Sequence, residues 1–170
     1  MQERLSAKVY QQSALDLAPL LLGKVLCRQI EGKVTRLRIT ETEAYCGESD
    51  TACHAHRRKT PRNAIMYEMG GFAYVYLCYG VHYLLNVVAA TPGEPEAVLI
   101  RGLEGISGPG RLTKALGIDL ELNEENLLLS DTLWLEEGDP LSYTCTPRVG
   151  IGSASERDQA RLWRFIANQR

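Results

Sequence analysis

The pattern of apolar and polar residues along the chain predicts more strands than helices. Short apolar segments alternate with turn signals, and two pairs of them are spaced as hairpins, one around Glu31-Gly32 and one around Gly80. Hairpins in succession are typical of antiparallel sheets. The strands that we predict cover residues 25–30, 34–43, 72–79, 82–90, 97–101, 132–135 and 148–151.

Helices are predicted at three places. The first begins at Ser13, with Asp16 placed as in a capping box, and ends at Gly23. A turn at residues 107–110 opens a second short helix, and residues 157–166 form a third candidate. No repeat or linker interrupts the pattern. We therefore predict an α+β fold over residues 1–170, a single domain with a curved, mainly antiparallel, partly open barrel-like sheet and flanking helices.

One predicted strand carries acidic residues on its buried side. Leu37 and Ile39 occupy the buried positions, and continued alternation places Glu41, Glu43 and Tyr45 on the same face. Carboxylates on a buried face are costly unless they are paired or used. We therefore predict that this strand forms the floor of a functional site.

Composition changes this picture little, but the charge distribution is uneven. The chain has 170 residues, 45% of them hydrophobic, which is enough to build the core of one domain. A net charge of -2 predicts no general attraction to nucleic acid. A local basic segment can nevertheless bind phosphate, although many such segments are only solvated loops. Its charged and titratable residues are His54, His56, Arg57, Arg58, Lys59 and Arg62.

The cysteines and the apolar runs indicate an intracellular protein. Five cysteines without paired spacing favour a reducing compartment. Cys46, Cys53, His54 and His56 lack the pair spacing of a zinc site, so we expect no metal. We find no signal peptide and no membrane-spanning run, and we expect the cytoplasm or nucleoid of a bacterium, or the nucleus of a eukaryote.

Glu41 and Glu43 allow more than one use. Desolvation raises the basicity of a carboxylate, so Glu43 could take a proton from water near neutral pH. Two residues along a strand span roughly 6.6 Å, which is near the spacing of a carboxylate pair in inverting sugar hydrolysis. Either carboxylate could instead form a salt bridge with Arg38 or Arg101. The residues alone leave these alternatives open.

The second hairpin carries tyrosines that suit a flat ligand. Tyr74 and Tyr76 share one face, whereas Tyr79 lies on the other, close to the turn. Aromatic planes can stack on a nucleobase, and a tyrosine at a hairpin tip can wedge into a base stack, although strand tyrosines more often pack in a core. Asn86 in the next strand needs hydrogen-bond partners if it faces a pocket.

Several short motifs follow one another in a specific order along the chain. They are Glu41-Thr42-Glu43-Ala44-Tyr45, His54, Thr60-Pro61-Arg62-Asn63, Tyr74-Val75-Tyr76-x-x-Tyr79-Gly80, Asn86, Leu99-Ile100-Arg101, Ser107-Gly108-Pro109 and Arg148-Val149-Gly150-Ile151-Gly152. In this order they resemble the alkyladenine (3-methyladenine) DNA glycosylase family, also called methylpurine-DNA glycosylase. The resemblance runs from about Leu5 to Ile166, and no single motif would suffice for it.

The resemblance implies a base-excision repair enzyme. Such an enzyme flips alkylated or deaminated purines out of double-stranded DNA and hydrolyses the N-glycosidic bond, which leaves an abasic site. We expect a monomer that binds duplex DNA with damaged purines and needs no cofactor. No lysine belongs to the matched pocket, so we expect a monofunctional glycosylase without lyase activity. The alternatives are a carbohydrate hydrolase using Glu41 and Glu43, or a non-catalytic DNA damage-binding module.

The resemblance also implies which residues carry out the reaction. Glu43 matches the general base that activates water, and Glu41 is left with a supporting role. Arg101 matches the arginine that helps to hold this water, and the carbonyl of Val149 matches its third anchor. After Glu104 the chain reaches the Ser107 motif almost directly, whereas mammalian members carry a longer insertion there.

A further set of residues is expected to bind the DNA. Tyr45, His54 and Tyr76 match the walls that stack on the flipped base. Asn86 matches the amide that disfavours guanine, and Tyr79 matches the side chain that fills the gap in the duplex. The basic segment is expected to contact the DNA backbone through Arg57, Arg58, Lys59 and Arg62.

Overall fold

A curved antiparallel sheet of nine strands dominates the computed structural model, which describes residues 2–168. The strand order is β3-β4-β5-β2-β1-β7, with β6 paired to β5, and with β9 paired to both β2 and β8. The predicted α+β class and the antiparallel sheet are confirmed. The strands are β1 (Val25–Ile30), β2 (Lys33–Cys46), β3 (Ala73–Cys78), β4 (His82–Ala89), β5 (Glu96–Leu103), β6 (Ile106–Ser107), β7 (Leu133–Glu136), β8 (Tyr143–Thr146) and β9 (Arg164–Ala167).

Short helices flank the sheet. Ser13 caps α2 as predicted, because its hydroxyl accepts a hydrogen bond from the N–H of Asp16 at 3.2 Å. The predicted turn at 107–110 leads into α3. No helix within residues 2–168 is long and apolar enough to cross a membrane. The helices are α1 (Ala7–Tyr10), α2 (Ala14–Leu20), α3 (Pro109–Ala115) and α4 (Glu156–Ala160), and 3₁₀ turns occur at Gly47–Ser49, Ala64–Tyr67 and Leu120–Leu122.

The sheet has a different apolar cluster on each face. Alternate residues of β3 show this, since Val75 belongs to a large cluster, the main core, and Tyr74 to a smaller one. The main core is packed by α2 and α3 and includes Leu17, Leu21, Ile39, Ala44, Leu85, Val98, Ile100 and Leu112. The smaller, pocket-side cluster contains Cys53, Ala55, Ile65, Met66, Tyr74, Val88 and Ala97.

A bulge in β2 corrects the predicted orientation of its acidic residues. The pairing of β2 with β5 shifts register on both sides of Glu41. Ile39 therefore faces the main core, but so does Ala44. The prediction that Glu41, Glu43 and Tyr45 share the buried face of Ile39 is wrong, because the bulge reverses the alternation. Glu43 projects toward the pocket-side face instead.

The predicted strand at 148–151 is wrong. These residues form a loop, and the nearest strand is β8, which ends at Thr146. The loop has a physical cause. The side chain of Arg148 is buried against Asp50, the N–H of Val149 donates to a carboxylate, and Gly150 has a φ of 72°. These contacts hold residues 148–150 in a conformation that does not pair with a neighbouring strand.

The predicted helix at 157–166 is only partly confirmed. Helix α4 ends at Ala160, and the chain then becomes β9, which pairs with β2 and β8. Phe165 is buried in the main core, whereas its neighbour Arg164 reaches toward Glu41 on the other side. This alternation is typical of a strand. The helix covers only the five residues of α4, and the rest of the predicted helical segment is not helical.

Candidate active site

A cavity of about 630 Å³ opens on the pocket-side face of the sheet. Its walls come from β2, β3, β4 and β5, from the loops at residues 51–54 and 149–153, and from residues 107–111, where α3 begins. Most of the residues that the sequence analysis selected are brought together here. Those in the cavity wall are Tyr45, His54, Tyr76, Tyr79, Asn86, Arg101 and Val149.

Glu43 lies directly behind this wall and has no exposed surface. The hydroxyl of Tyr45 donates to its Oε1 at 2.8 Å, and the N–H of Val149 donates to its Oε2 at 2.7 Å. The Nε atom of Arg101 is 3.7 Å from the same Oε2. The three residues around the carboxylate all line the cavity, so a single layer of residues separates Glu43 from it.

The environment of Glu43 changes its acidity. Burial raises the pKa of the carboxyl above its usual value, and this effect exceeds the opposing charge of Arg101 and the bonds from Val149 and Tyr45. Burial also raises the pKa of Tyr45, so its hydroxyl stays protonated and remains a donor. The site therefore holds a carboxylate with increased affinity for a proton.

Glu41 is held in a different way. The Nε of Arg101 donates to its Oε2 at 2.7 Å, and Arg164 donates from Nε at 3.1 Å and from Nη2 at 3.3 Å. Burial alone would raise the pKa of Glu41, but these two arginines outweigh it and hold the pKa below the usual value. Glu41 therefore serves as the anion that fixes Arg101 beside Glu43.

Val149 contacts Glu43 through its backbone N–H, which donates to the carboxylate. The contact to water that the family resemblance implies for its carbonyl stays a prediction. The side chain of Val149 is 45% exposed and lies at the cavity. The loop thus presents a backbone donor to Glu43 and an apolar side chain to the site.

His54 lies against two tyrosines. Its ring centre is 4.3 Å from that of Tyr76 and 5.8 Å from that of Tyr74, and the two tyrosine rings are 5.4 Å apart. The Nδ1 of His54 is 2.8 Å from the hydroxyl of Tyr74. Partial burial, together with the charge of Arg62, lowers the pKa of His54 to about 4, so the imidazole is neutral near pH 7.

Asn86 forms part of the cavity wall next to this aromatic group. It is 4% exposed, and its Nδ2 donates to the backbone carbonyl of Tyr74 at 3.2 Å. Its amide orientation is therefore set by β3, to which β4 is paired through Tyr74 and Asn86. Tyr74, which the sequence analysis did not select as a site residue, supports both His54 and Asn86.

Tyr79 is at the tip of the β3–β4 hairpin. It is 91% exposed, and both Tyr79 and Gly80 have a positive φ, of 51° and 67°. Such angles turn the chain sharply and suit a hairpin loop. Val81, which completes the loop, is 68% exposed. The hairpin therefore presents an aromatic and an aliphatic side chain to solvent at the edge of the cavity.

Comparison with known proteins assigns the chain to a family. The sequence model of the family described as methylpurine-DNA glycosylase (MPG) matches residues 8–107 and 104–170. The chain belongs to the methylpurine-DNA glycosylase family. This confirms the resemblance found in the sequence, and it makes the chain a DNA glycosylase of DNA repair, with DNA as its substrate. The two matches meet at residues 104–107, where we expect the loop to be short.

Bacterial relatives show the same relationship over most of their length. A protein of Borreliella burgdorferi (strain ZS7), described as "Putative 3-methyladenine DNA glycosylase", is 44% identical over 92% of this chain and 91% of its own. Proteins with the same description from Natranaerobius thermophilus and Chlorobaculum tepidum are 40% and 41% identical, over 95% and 97% of this chain and 94% and 88% of theirs.

The basic segment of this glycosylase is on the surface beside the cavity. Arg62 stacks over Tyr76 at 5.4 Å and donates from Nη2 to the carbonyl of Leu77 at 3.3 Å. Lys59 lies 5.2 Å from the ring centre of Tyr67. These contacts attach the segment to Tyr67 and to Tyr76 in the cavity wall. The side chains that remain exposed there are His54, Arg57, Arg58, Lys59 and Arg62.

The cysteines and histidines of this glycosylase do not form a shared cluster in the described part of the chain. All five cysteines are free. Residues 2–168 contain no group of three or more His, Cys, Asp or Glu side chains placed to hold a metal ion. His54 instead belongs to the aromatic wall, and the ring of His56 is hydrogen-bonded at 2.7 Å to the carbonyl of Glu48.

Sequence reasoning missed the residues that support the loop of Val149. Arg148 and Asp50 form an ion pair with 2.7 Å and 2.9 Å contacts, and neither side chain is exposed. Asp158 of α4 accepts a hydrogen bond from the N–H of Thr51 at 2.9 Å, which joins Thr51 to that helix. An arginine at the start of a matched motif was the only signal for the first pair, and Asp50 and Asp158 gave none.

Proposed function

We propose that this chain is a monofunctional glycosylase that excises damaged purines from duplex DNA, with Glu43 as the general base for the attacking water. One observation carries the proposal. A fully buried carboxylate with a raised pKa lies behind an aromatic cavity, with Tyr45, Val149 and Arg101 arranged around it. Desolvation of this kind makes a carboxylate a stronger base, as general-base catalysis requires.

The proposed reaction needs a free lone pair on a carboxylate oxygen of Glu43. Each of the two oxygens accepts one bond from the protein, and a carboxylate oxygen has a second lone pair that is free to accept from water. Water attacks C1′ of the nucleotide as the bond from C1′ to the purine breaks, and the purine leaves with the electron pair. The water proton passes to Glu43. Arg101 and the carbonyl of Val149 orient the water.

The aromatic wall suits the proposed substrate. Purines are flat, and Tyr45, His54 and Tyr76 offer ring faces within one cavity. A purine nucleotide alkylated at N3 or N7 carries a positive charge, which strengthens its attraction to these faces. Because the pKa of His54 is lowered to about 4, the ring does not repel such a cation near pH 7. Asn86 acts as the selective contact that disfavours guanine.

Tyr79 is proposed to fill the space left by the flipped nucleotide. A side chain that is 91% exposed on a hairpin tip contributes little to the stability of the fold. Removing a base from the stack costs a few kcal/mol, and an inserted aromatic ring recovers part of that by stacking. The basic segment then binds the backbone of the duplex, and one copy of the chain carries every group that the reaction needs.

The geometry favours this reaction over a two-carboxylate sugar hydrolysis. Both oxygens of Glu41 are engaged by Arg101 and Arg164, and its pKa is lowered. A carboxylate in two ion pairs is a weak base, so only Glu43 suits proton transfer. We also propose that lyase chemistry is absent, since no lysine is among the described residues that line the cavity.

Base release by the Glu43→Gln variant tests the proposal. The substrate is a duplex with a single hypoxanthine or ethenoadenine. Glutamine keeps the shape of the side chain but cannot take the proton, so base release should fall by roughly 100-fold to 10,000-fold while lesion binding is retained. Retained turnover would overturn the mechanism. A wild-type protein that binds the lesion but releases no base would instead support the non-catalytic alternative.

A further inference from the structure

Two segments supply donors to Glu43, and one buried side chain, Arg148, belongs to one of them and contacts the other. Its Nη1 donates at 3.0 Å to the carbonyl of Ala44, the residue after Glu43. Its Cζ is 4.9 Å from the ring centre of Tyr45, whose hydroxyl bonds Oε1 of Glu43. Val149, the residue that follows Arg148, bonds Oε2. Arg148 is therefore part of the loop that holds the carboxylate, and its guanidinium contacts the strand that carries it.

Arg148 is itself fixed in a single orientation. Asp50 accepts from its Nη1 at 2.7 Å and from its Nη2 at 2.9 Å, which is the bidentate geometry that a planar guanidinium allows. The N–H groups of Cys46 and Ala52 donate to Asp50 at 3.0 Å and 3.1 Å. The ring centre of Trp163 is 4.9 Å from Cζ of Arg148. Its position is thus set by at least three parts of the chain.

We propose that Arg148 is a positioning residue for base excision: held by Asp50, it aims the Tyr45 hydroxyl and the Val149 N–H at the carboxylate of Glu43. Arg148 does not line the cavity, so its proposed role needs no contact with DNA or with the attacking water. It acts through the two donors. The inference rests on the proposed function, because it takes Glu43 to be the general base.

The energetics favour positioning over a purely structural role. A buried ion pair contributes little net stability, since desolvation of both charges offsets their attraction. Its effect on geometry is larger, because a displacement of about 1 Å in a reacting group can reduce a rate by roughly 100-fold. The side chain of Arg148 has no exposed surface and is bonded to residues next to the base. Its loss should therefore change the rate per folded molecule.

The acidity of Glu43 offers a second measure of this role. The positive charge of Arg148 favours ionised Glu43, as does the N–H that Arg148 keeps in place. Without Arg148 the pKa of Glu43 should rise further. The charged and titratable groups that surround Glu43 are Glu41 and Tyr45 on β2, Tyr76 on β3, Arg101 on β5, Arg164 on β9 and Arg148 itself.

The experiment compares Arg148→Met and Arg148→Lys with a matched control, Arg161→Met. Arg161 also pairs with a buried aspartate, Asp158, at 3.0 Å and lies 4.6 Å from the centre of Trp163, but it makes no described hydrogen bond to residues 43–45 or 149. Base release from a hypoxanthine duplex is measured in single turnover, per active molecule. Lesion binding, the pH profile and the melting temperature are measured with it.

For Arg148→Met we expect base release that is slower by roughly tenfold to 100-fold with lesion binding retained, and an acid limb at higher pH. Arg148→Lys keeps the charge but not the bidentate contact with Asp50. It should therefore keep the acid limb at the wild-type pH but only part of the wild-type rate. Arg161→Met should match the wild type. Adding Arg148→Met to Glu43→Gln should cause no further loss, since the group being positioned is already absent.

The opposite results would overturn the inference. Arg148→Met with a wild-type rate per active molecule would leave Arg148 a purely structural role, as would an equal loss in the Glu43→Gln background. If Arg148→Met does not fold, Arg148→Lys decides: a reduced rate supports positioning, and a full rate contradicts it. Failure of the proposed function is visible separately, because Glu43→Gln would then retain turnover whatever the Arg148 variants do.

Discussion

Glu41 and Glu43 are two residues apart on β2, and their surroundings move their pKa values in opposite directions. Arg101 links them, with its Nε 2.7 Å from Glu41 and 3.7 Å from Glu43. One carboxylate is paired with two arginines, and the other is buried with a raised pKa. Two glutamates that look equivalent in the sequence therefore have different chemistry, and this difference can be tested.

The Glu41→Gln variant separates the two roles. We expect base release to fall by no more than about tenfold, well short of the loss of roughly 100-fold or more that removal of a general base causes. The remaining effect comes from a less well-fixed Arg101. Parallel single-turnover assays of Glu41→Gln and Glu43→Gln make the comparison. Equal losses in the two variants would restore the carboxylate-pair alternative.

The pH dependence of base release should show the raised pKa of Glu43. A general base works only when it is ionised, so activity is lost as pH falls through its pKa. Because burial raises that pKa, the acid limb should lie above 4.5, the usual value for glutamate. Rates measured in single turnover across the acid range locate it.

The Glu41→Gln variant is the control for this pH profile. Losing the neighbouring negative charge frees Arg101 for Glu43, so the acid limb should move to lower pH. A limb at or below 4.5 in the wild type would contradict a desolvated base.

The Tyr79→Ala variant tests the proposed wedge. We expect weaker binding to lesion duplex by about 1–3 kcal/mol, the range measured when a stacking aromatic is removed, and a smaller effect on cleavage of a weakly paired lesion. Val81→Ala, on the same loop, is the control and should bind almost normally. Because Tyr79 is 91% exposed, the melting temperature should not change. Identical binding by the tyrosine variant and the wild type would exclude the wedge.

Salt titration tests the basic segment. If Arg57 and Arg58 contact phosphates, replacing either with glutamine should reduce the slope of log affinity against log salt by about 0.9, the contribution of one contact to duplex DNA. Lys33→Gln is the control, since Lys33 is exposed but lies at the start of β2 and not in the basic segment. Affinity should be measured by anisotropy over several salt concentrations. A slope that is unchanged in the arginine variants would leave the segment as a solvated loop.

Features that depend on local sequence could be predicted. The cap at Ser13, the hairpins and the turn before α3 follow from a few neighbouring residues, and all three are confirmed. The shared face of Tyr74 and Tyr76 follows from the period of a strand, and their rings lie 5.4 Å apart. These interactions are encoded within a few residues, so the sequence shows them directly.

Features that depend on distant partners could not be predicted. Arg148 and Asp50 are 98 residues apart, and neither has a neighbour in sequence that suggests an ion pair. The same holds for β9, which becomes a strand because β2 and β8 offer it an edge on each side. The contact between Val149 and Glu43 spans 106 residues. Tertiary pairing decided each of these structures against a plausible local pattern.

The bulge in β2 reverses which residues of the strand face each side of the sheet. Every residue before it has one assignment to the two faces of the sheet, and every residue after it has the reverse. A regular strand of the same length would have an unbroken alternation, which would turn Glu43 into the main core and Ala44 out toward the cavity. The irregular pairing on both sides of Glu41 therefore decides that a carboxylate, rather than a methyl group, lies behind the cavity wall. The position of the proposed base thus depends on backbone register as much as on the identity of residue 43.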